Sequence, residues 1–291
     1  MKKALISALG CAILFVFTSF QDKEEWTNLL DNDLSNWSTY QSYRHTITYN
    51  GKEPVDEKGD IISPIGAGKN EANVFSAVQE NGETVLKISG EIYGCLISKK
   101  DYENYHLKLQ VKWGSKIWEP RKKKLKDSGI CYHSIGKNGA DYWRSWMLSQ
   151  EFQIMEGHIG DYWNIANAAI DIKAFIPEGV MSSIASEKQP FIGIGTGSGN
   201  PGFCMRSADY ESPVEDWTTV ELICFEDKSL HIVNGHVVMI LQNSRYVVDG
   251  KSVPLVKGKI QLQSEAAEVF YKDIQIKDIP SMPAAYAGYF K

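Results

Sequence analysis

The sequence has little of what several functional classes require. Cysteine is sparse, five in 291 residues, with no CxxC and no Cys/His spacing of the kind a zinc site needs. Positive charge does not dominate: 31 Lys and Arg face 36 Asp and Glu, for a net charge of −5. That excludes the basic surface a nucleic-acid partner would demand. The one basic run, Arg121 to Lys124 with Lys126, is short and reads as a solvated loop. Long amphipathic helical patterns, internal repeats and linkers are all missing. The glycine-rich segment Gly193–Gly202 lacks the Lys-Ser/Thr that closes a phosphate-binding loop and has no βαβ pattern around it. It reads as a flexible loop, a candidate lid.

The N-terminus carries the only long apolar run. Lys2 and Lys3 precede a stretch from Ala4 to Phe17 that is apolar or small throughout. That is the pattern of an export signal, and it is short for a membrane span. We expect a signal peptide over residues 1–20, cleaved near Phe20–Gln21, with a lipoprotein signal at Cys11 as the alternative. The expectation is an exported protein, periplasmic or on the outer surface, lipid-anchored in the second case. The mature chain, 21–291, reads as one domain without a transmembrane helix. Cys95, Cys131, Cys204 and Cys224 remain in it. An even number in an exported chain permits disulfides. Cys95, Cys131 and Cys224 nevertheless sit among apolar residues, where buried free thiols are equally expected.

Strands dominate the mature chain. Thr84–Ser89, Ile92–Ser98, Gly129–Ser134, Trp217–Phe225, Gly258–Ser264 and Val269–Lys277 read as strands. Tyr105–Trp113 sets Leu107, Leu109 and Val111 against His106, Lys108, Gln110 and Lys112, the alternation of a half-buried strand. His106 falls on the polar face and reads as solvated. Asn234-Gly235 between two apolar runs is a strong hairpin signal, with His231 and His236 as decoration beside the turn. Ala174–Pro213 is the least regular part. Many short strands with Gly-rich turns argue for a single all-β sandwich with short, peripheral helices.

The chemistry concentrates in Trp146–Trp163, WMLSQEFQIMEGHIGDYW. Glu151–Glu156 alternates as a strand. Phe152 and Ile154 would anchor a core, and Glu151 and Gln153 would face the other way, about 6–7 Å apart. Gly157 should end the strand and place His158, Asp161, Tyr162 and Trp163 on a loop. Trp143, Trp146 and Trp163 could stack on sugar rings, each offering a large apolar face with a polar handle. A classical glycosidase needs two carboxyl groups about 5–9.5 Å apart. Glu151 and Glu156 would stand about 16 Å apart on an extended strand, so a partner such as Glu91 or Asp161 would be required.

Five stretches, in order, resemble a known family. DLSNW (Asp33–Trp37) is similar to its DLSGW, KDSGICYHS (Lys126–Ser134) to its NSGI strand, and SQEFQIMEGHIGDYW to its EFQI strand and the loop after it. VELICFEDKSLHIVNGHVV and KGKIQLQSEAAEVFYKDIQIKDI are similar to its NG hairpin and closing strands. The family is the DUF1080 group, also called 3-keto-disaccharide hydrolases, and the resemblance covers nearly the whole mature chain. It implies a concanavalin A-like jelly-roll sandwich of two antiparallel sheets, with long loops over the concave face that holds the site. It also implies 3-keto-glycoside substrates. This chain departs from the pattern at His133, where many members have arginine, and in its long Gly193–Gly202 loop.

A ketone at C3 acidifies the C2 hydrogen. A base removes it, the group on C1 leaves, and water adds. This needs a base of modest pKa, a stabiliser for the enolate and an acid at the leaving oxygen. Glu151 or His133 is the candidate base. Gln153 is a candidate for binding a sugar hydroxyl or the C3 oxygen. Glu156, His158 and Asp161 are candidates for acid, sugar binding or metal ligation. A divalent cation polarising the ketone is compatible with this chemistry, although no spacing specifies its ligands. The alternatives are a two-carboxylate glycosidase and a non-catalytic carbohydrate-binding module, since fold does not fix function.

Overall fold

The structure is a computed structural model, and it describes residues 25–44, 54–140 and 145–291. The expected leader, with Cys11, lies outside the described residues. Among the described residues no helix is long and apolar enough to cross a membrane.

Two sheets, almost wholly antiparallel, pack into a jelly-roll sandwich. The first runs, in spatial order, through Phe75–Glu80, Glu83–Ile88, Ala267–Asp278, Tyr105–Ile117, Thr218–Phe225, Lys228–Val233, His236–Val248, Ala168–Phe175 and Phe191–Gly195. The second runs through Gly66–Ala67, Trp37–Arg44, Ile92–Ser98, Lys259–Ser264, Asp127–Ile135, Leu148–Met155, Tyr162–Ile165, Phe203–Met205 and Ser183–Ala185. Only the last pair is parallel. One strand, Ala168–Phe175, serves both sheets: Ala169–Lys173 pair with Phe191–Gly195, and Ala174 and Phe175 pair with Ala185 and Ile184. The helical content described is two 3-10 turns, Glu71–Asn73 and Ala287–Phe290.

Alternation explains the core. Tyr105, Leu107, Leu109, Val111 and Trp113 point inward from the first sheet, and Leu96, Ile130, Tyr132, Phe152, Ile154 and Leu262 meet them from the second. The hairpin forms where expected. Asn234 and Gly235 have φ of 46° and 80°, the left-handed pair that a tight I′ turn demands. The region Ala174–Pro213 holds three short strands, Ser183–Ala185, Phe191–Gly195 and Phe203–Met205. All four cysteines of the described chain are free and buried. Cys95 and Cys131 flank the Lys259–Ser264 strand on opposite sides. That is two strand spacings, about 10 Å, and too far to bridge.

Two histidines sit differently from expectation, and a third sits as expected. His106 is buried, not solvated: its Nε2 lies 2.7 Å from Glu221 Oε2 and its ring meets Trp26 edge-on. The pairing holds the Glu221 carboxyl below its ordinary value. His231 is a core residue, stacked on Phe152 at 4.3 Å between centroids, with Nδ1 3.1 Å from the Gly160 carbonyl. His236 alone decorates the hairpin, stacked on Tyr210.

Burial depresses His231 to about 3 and His133 to about 4. Above pH 6.5 both rings are neutral, folded or unfolded, and contribute no pH dependence. Below it the unfolded rings take protons that the folded ones refuse. Each therefore removes about 1.4 kcal/mol of stability per pH unit until its folded pKa is reached. The expected outcome is a urea midpoint that falls between pH 6.5 and 4. Imidazole NMR resonances should show His133 and His231 still neutral at pH 5. Titration of either ring near pH 6.5 would contradict this burial.

Candidate active site

Leu148–Met155 is the central strand of the site. Phe152 and Ile154 enter the core and Glu151 and Gln153 face away from it, as alternation requires. That second face is not solvated. Glu151 is 4 % exposed and Gln153 6 %, because loops and aromatics roof it into a cleft of about 270 Å³. The cleft is lined by Arg121, Asp127, Glu265, Trp146, Trp163, Asn164 and Ile165 besides the two strand residues.

The neighbouring strand makes room for these polar ends. Gly129 pairs with Gln153 and Cys131 with Glu151, so all four lie on one face. A Cβ on Gly129 would stand 2.1 Å from Glu151 Oε1 and 2.6 Å from Gln263 Oε1. The missing side chain is what lets a carboxylate and an amide meet there. The buried glutamines then divide into two groups. Gln41 Oε1 accepts from the Glu71 N–H, Gln150 Oε1 from the Tyr162 hydroxyl and Gln261 Oε1 from the Met147 N–H. Gln153 Oε1 and Gln263 Oε1 are equally buried, yet have no partner among the described residues. A buried carbonyl oxygen without a donor costs about 1–3 kcal/mol. Both lie around the Gly129 gap, where a ligand's hydroxyl groups would supply the donors.

Charge enters from a loop. Trp118 is pinned by its N–H to the Ala266 carbonyl and by its indole N–H to the Ser89 carbonyl. This turns Arg121 inward, where its Nη2 pairs with Asp127 and, at 2.5 Å, with Glu265 Oε1. Arg121 is therefore not part of a solvated basic run. Burial, reinforced by Glu265 and opposed by Arg121, pushes the Asp127 carboxyl well above the carboxylate range. Beneath the cleft, Trp146 packs with Tyr40, Cys95, Cys131 and Ile165. Trp163, 41 % exposed, leans on Phe203 at 4.6 Å.

The structure does not bring the other expected residues to the cleft. His133 sits in a bulge, between Tyr132 and Ile135, with φ of 52°. The bulge turns its ring onto Tyr105 and Tyr132 and puts Nδ1 3.1 Å from the Leu255 carbonyl. It does not line the cleft that holds Glu151. Asp161 is fully buried in a structural knot: Oδ1 accepts the Arg206 N–H at 2.8 Å, and Oδ2 lies 3.0 Å from His158 Nδ1. Glu211, which also pairs with Arg206, accepts the Gly157 and Ile159 N–H groups. His158 and Asp161 thus tie down the turn after the strand rather than face a ligand. Glu156 lies in that turn, its N–H bonded to the Lys126 carbonyl, and does not line the cleft. Trp143 lies outside the described residues. The Gly193–Gly202 segment begins as strand and closes on itself, Asn200 Nδ2 donating to the Gly193 carbonyl, and Gly202 packs against Asn164. None of it lines the cleft. Among the described residues no cluster of three or more His, Cys, Asp or Glu side chains could hold a metal ion.

The family model described as 3-keto-alpha-glucoside-1,2-lyase-like domain matches residues 25–277. Among solved structures, two proteins from Parabacteroides distasonis ATCC 8503, each named "putative glycosyl hydrolase", are 16 % identical. One has a TM-score of 0.48 and covers 91 % of this chain and 98 % of its own. The other has 0.46, with 88 % and 100 % covered. The carbohydrate binding module CBM66 from Bacillus subtilis is 8 % identical with a TM-score of 0.38, covering 70 % of this chain and 92 % of its own. Comparison with curated proteins gives no match.

Removing Asp161 leaves the Arg206 N–H without its acceptor and takes one of three carboxylates from the Arg206 side chain, which keeps Asp209 and Glu211. Asp161→Ala should lower stability by about 1–3 kcal/mol, read as a lower urea midpoint, while ligand binding per folded molecule stays unchanged. Lost binding without lost stability would return Asp161 to the site.

Proposed function

We propose, from the premise that this chain belongs to the 3-keto-alpha-glucoside-1,2-lyase-like family, that it cleaves the glycosidic bond of 3-keto-glycosides with Glu151 as the base. The observation that carries this reading is the set of oxygens around Gly129. There the Glu151 carboxylate converges with Gln263 Oε1, and Gln153, with its own unpartnered Oε1, pairs with Gly129 across the strands. A base beside two acceptors suits a polyol that loses a proton from carbon while its hydroxyls donate outward. The cleft, about 270 Å³, falls just below the ~300–1,000 Å³ typical of drug-sized ligands. That suits one sugar ring rather than an extended chain.

Glu151 takes the C2 proton, made acidic by the C3 ketone. The C2–H electrons pass into the enolate, and its collapse restores the ketone, forms C1=C2 and expels the C1 oxygen. Water then adds at C1 and a proton returns to C2. The Arg121 charge in the cleft wall favours the negative charge that develops. Trp163 offers its face to a sugar or aglycone at the rim. A paired-carboxylate glycosidase is the second reading, favoured by Asp127 and Glu265 sharing the cleft with Glu151.

The test is release of the aglycone from a 3-keto-glucoside and from the same glucoside unoxidised, in D2O with mass detection of the sugar. Cleavage of the keto form alone, with deuterium at C2, is the expected result. Cleavage of the unoxidised form without C2 exchange would sink the enolate route in favour of the glycosidase. Glu151→Gln should lower turnover by about 100-fold or more while retaining affinity; a pure binding module would have no turnover to lose. Gly129→Ala forces the carboxylate aside by about an ångström, and misplacement of that size costs about 100-fold in rate. Its melting temperature should move little, because the displaced atoms are flexible side-chain ends.

A further inference from the structure

We propose that Asp127 is the catalytic acid of this cleft, donating a proton to the leaving glycosidic oxygen; the inference rests on the 3-keto-glycoside reading above. Three observations on geometry support it. Asp127 lines the same cleft as Glu151 and is 4 % exposed. Arg121 grips it through Oδ2, while Oδ1 is buried with no partner among the described residues. One oxygen is thus held and the other left for a group that arrives with substrate.

The spacing fits two groups that act on adjacent carbons. Glu151 Oε1 lies over Gly129. Asp127 is two residues before Gly129, one same-face step along the strand, or about 6–7 Å. A base at the C2 hydrogen and an acid at the oxygen on C1 need to stand apart by a distance of that order, on either side of one ring bond. Chemistry agrees with position. Desolvation and the adjacent Glu265 favour the protonated carboxyl against the opposing pull of Arg121, and that is the form a general acid needs.

The step balances without a further reagent. Glu151 receives the C2 proton and becomes neutral. The C2–H pair ends as the C1=C2 bond, the C1–O pair stays on the leaving oxygen, and the Asp127 proton joins it. Asp127 is left as a carboxylate beside Arg121. That carboxylate then takes a proton from the water that adds at C1, while Glu151 returns its proton to C2, and together these restore the starting state. None of the acids suggested by sequence can do this, since Glu156, His158 and Asp161 all lie off the cleft.

Leaving-group chemistry tests the role. A nitrophenolate departs without a proton, whereas an alkoxide does not. Asp127→Asn should lower kcat on methyl 3-keto-glucoside by about 100-fold or more. On 4-nitrophenyl 3-keto-glucoside it should stay within about threefold of wild type, with deuterium exchange at C2 preserved. Retained nitrophenyl turnover also reports an intact fold. Equal losses on both aglycones, or no loss on either, in an otherwise active wild type would overturn the acid role alone. A wild type inert toward both keto substrates would overturn the substrate assignment and this role together. If the variant does not fold, the wild type is compared across aryl aglycones of graded acidity. Rates nearly independent of leaving-group pKa support an internal acid, and rates rising steeply with leaving-group acidity overturn it.

Discussion

Burial of Leu148–Met155 on both faces is the constraint on which the site depends. A strand repeats every two residues, so a slip of one would send Glu151 and Gln153 into the core and Phe152 and Ile154 into the cleft. Both outcomes are strongly destabilising: one buries an uncompensated carboxylate, the other strips the core of Phe152 and Ile154. The hydrophobic demand of the sandwich therefore fixes the direction of the polar groups. The placement of Glu151 and Gln153 in the cleft is a by-product of packing on a rigid strand.

The cleft's polar inventory obeys the same constraint. Three buried glutamines are closed off by backbone or hydroxyl donors, and they brace the sheet where it meets loops. Two are left open, and both adjoin the position where a glycine removes the intervening side chain. Arg121 introduces the only described cation of the cleft wall and divides itself between two carboxyl groups. One cation against several acids leaves the cleft short of positive charge, which favours a protonated carboxyl over another ion pair.

Much of this was legible in sequence, for physical reasons. The alternation of Tyr105–Trp113 and Glu151–Glu156 and the Asn234-Gly235 turn are local signals, and each maps onto a local structure. The resemblance to the 3-keto-disaccharide hydrolases added the order of the elements. Long-range pairing was not legible. Glu265 is 144 residues from Arg121 in the chain, and nothing in the Arg121–Lys124 run marks one cation as inward. A bulge with positive φ moved His133 out of the cleft, and no residue preference announces it. His158 and Asp161 misled because a turn that must satisfy Arg206 uses the same residue types as an active site. An unpartnered Gln153 looks, in sequence, like any partnered one.

The strand shared by both sheets has a consequence for the protein in concentrated solution. By passing Ala168–Phe175 from one sheet to the other, the fold joins them into a continuous hydrogen-bonded surface along that side. Strands with a single neighbour remain at Thr27–Asn28, Gly66–Ala67, Phe75–Glu80, Phe191–Gly195 and Lys251–Pro254, and none of them exceeds six residues. Among the described residues, a foreign strand that tried to add to the sandwich would find only short rows of open amides, one ending in Glu80 and another containing a proline. Such edges are poor templates for chain-to-chain pairing.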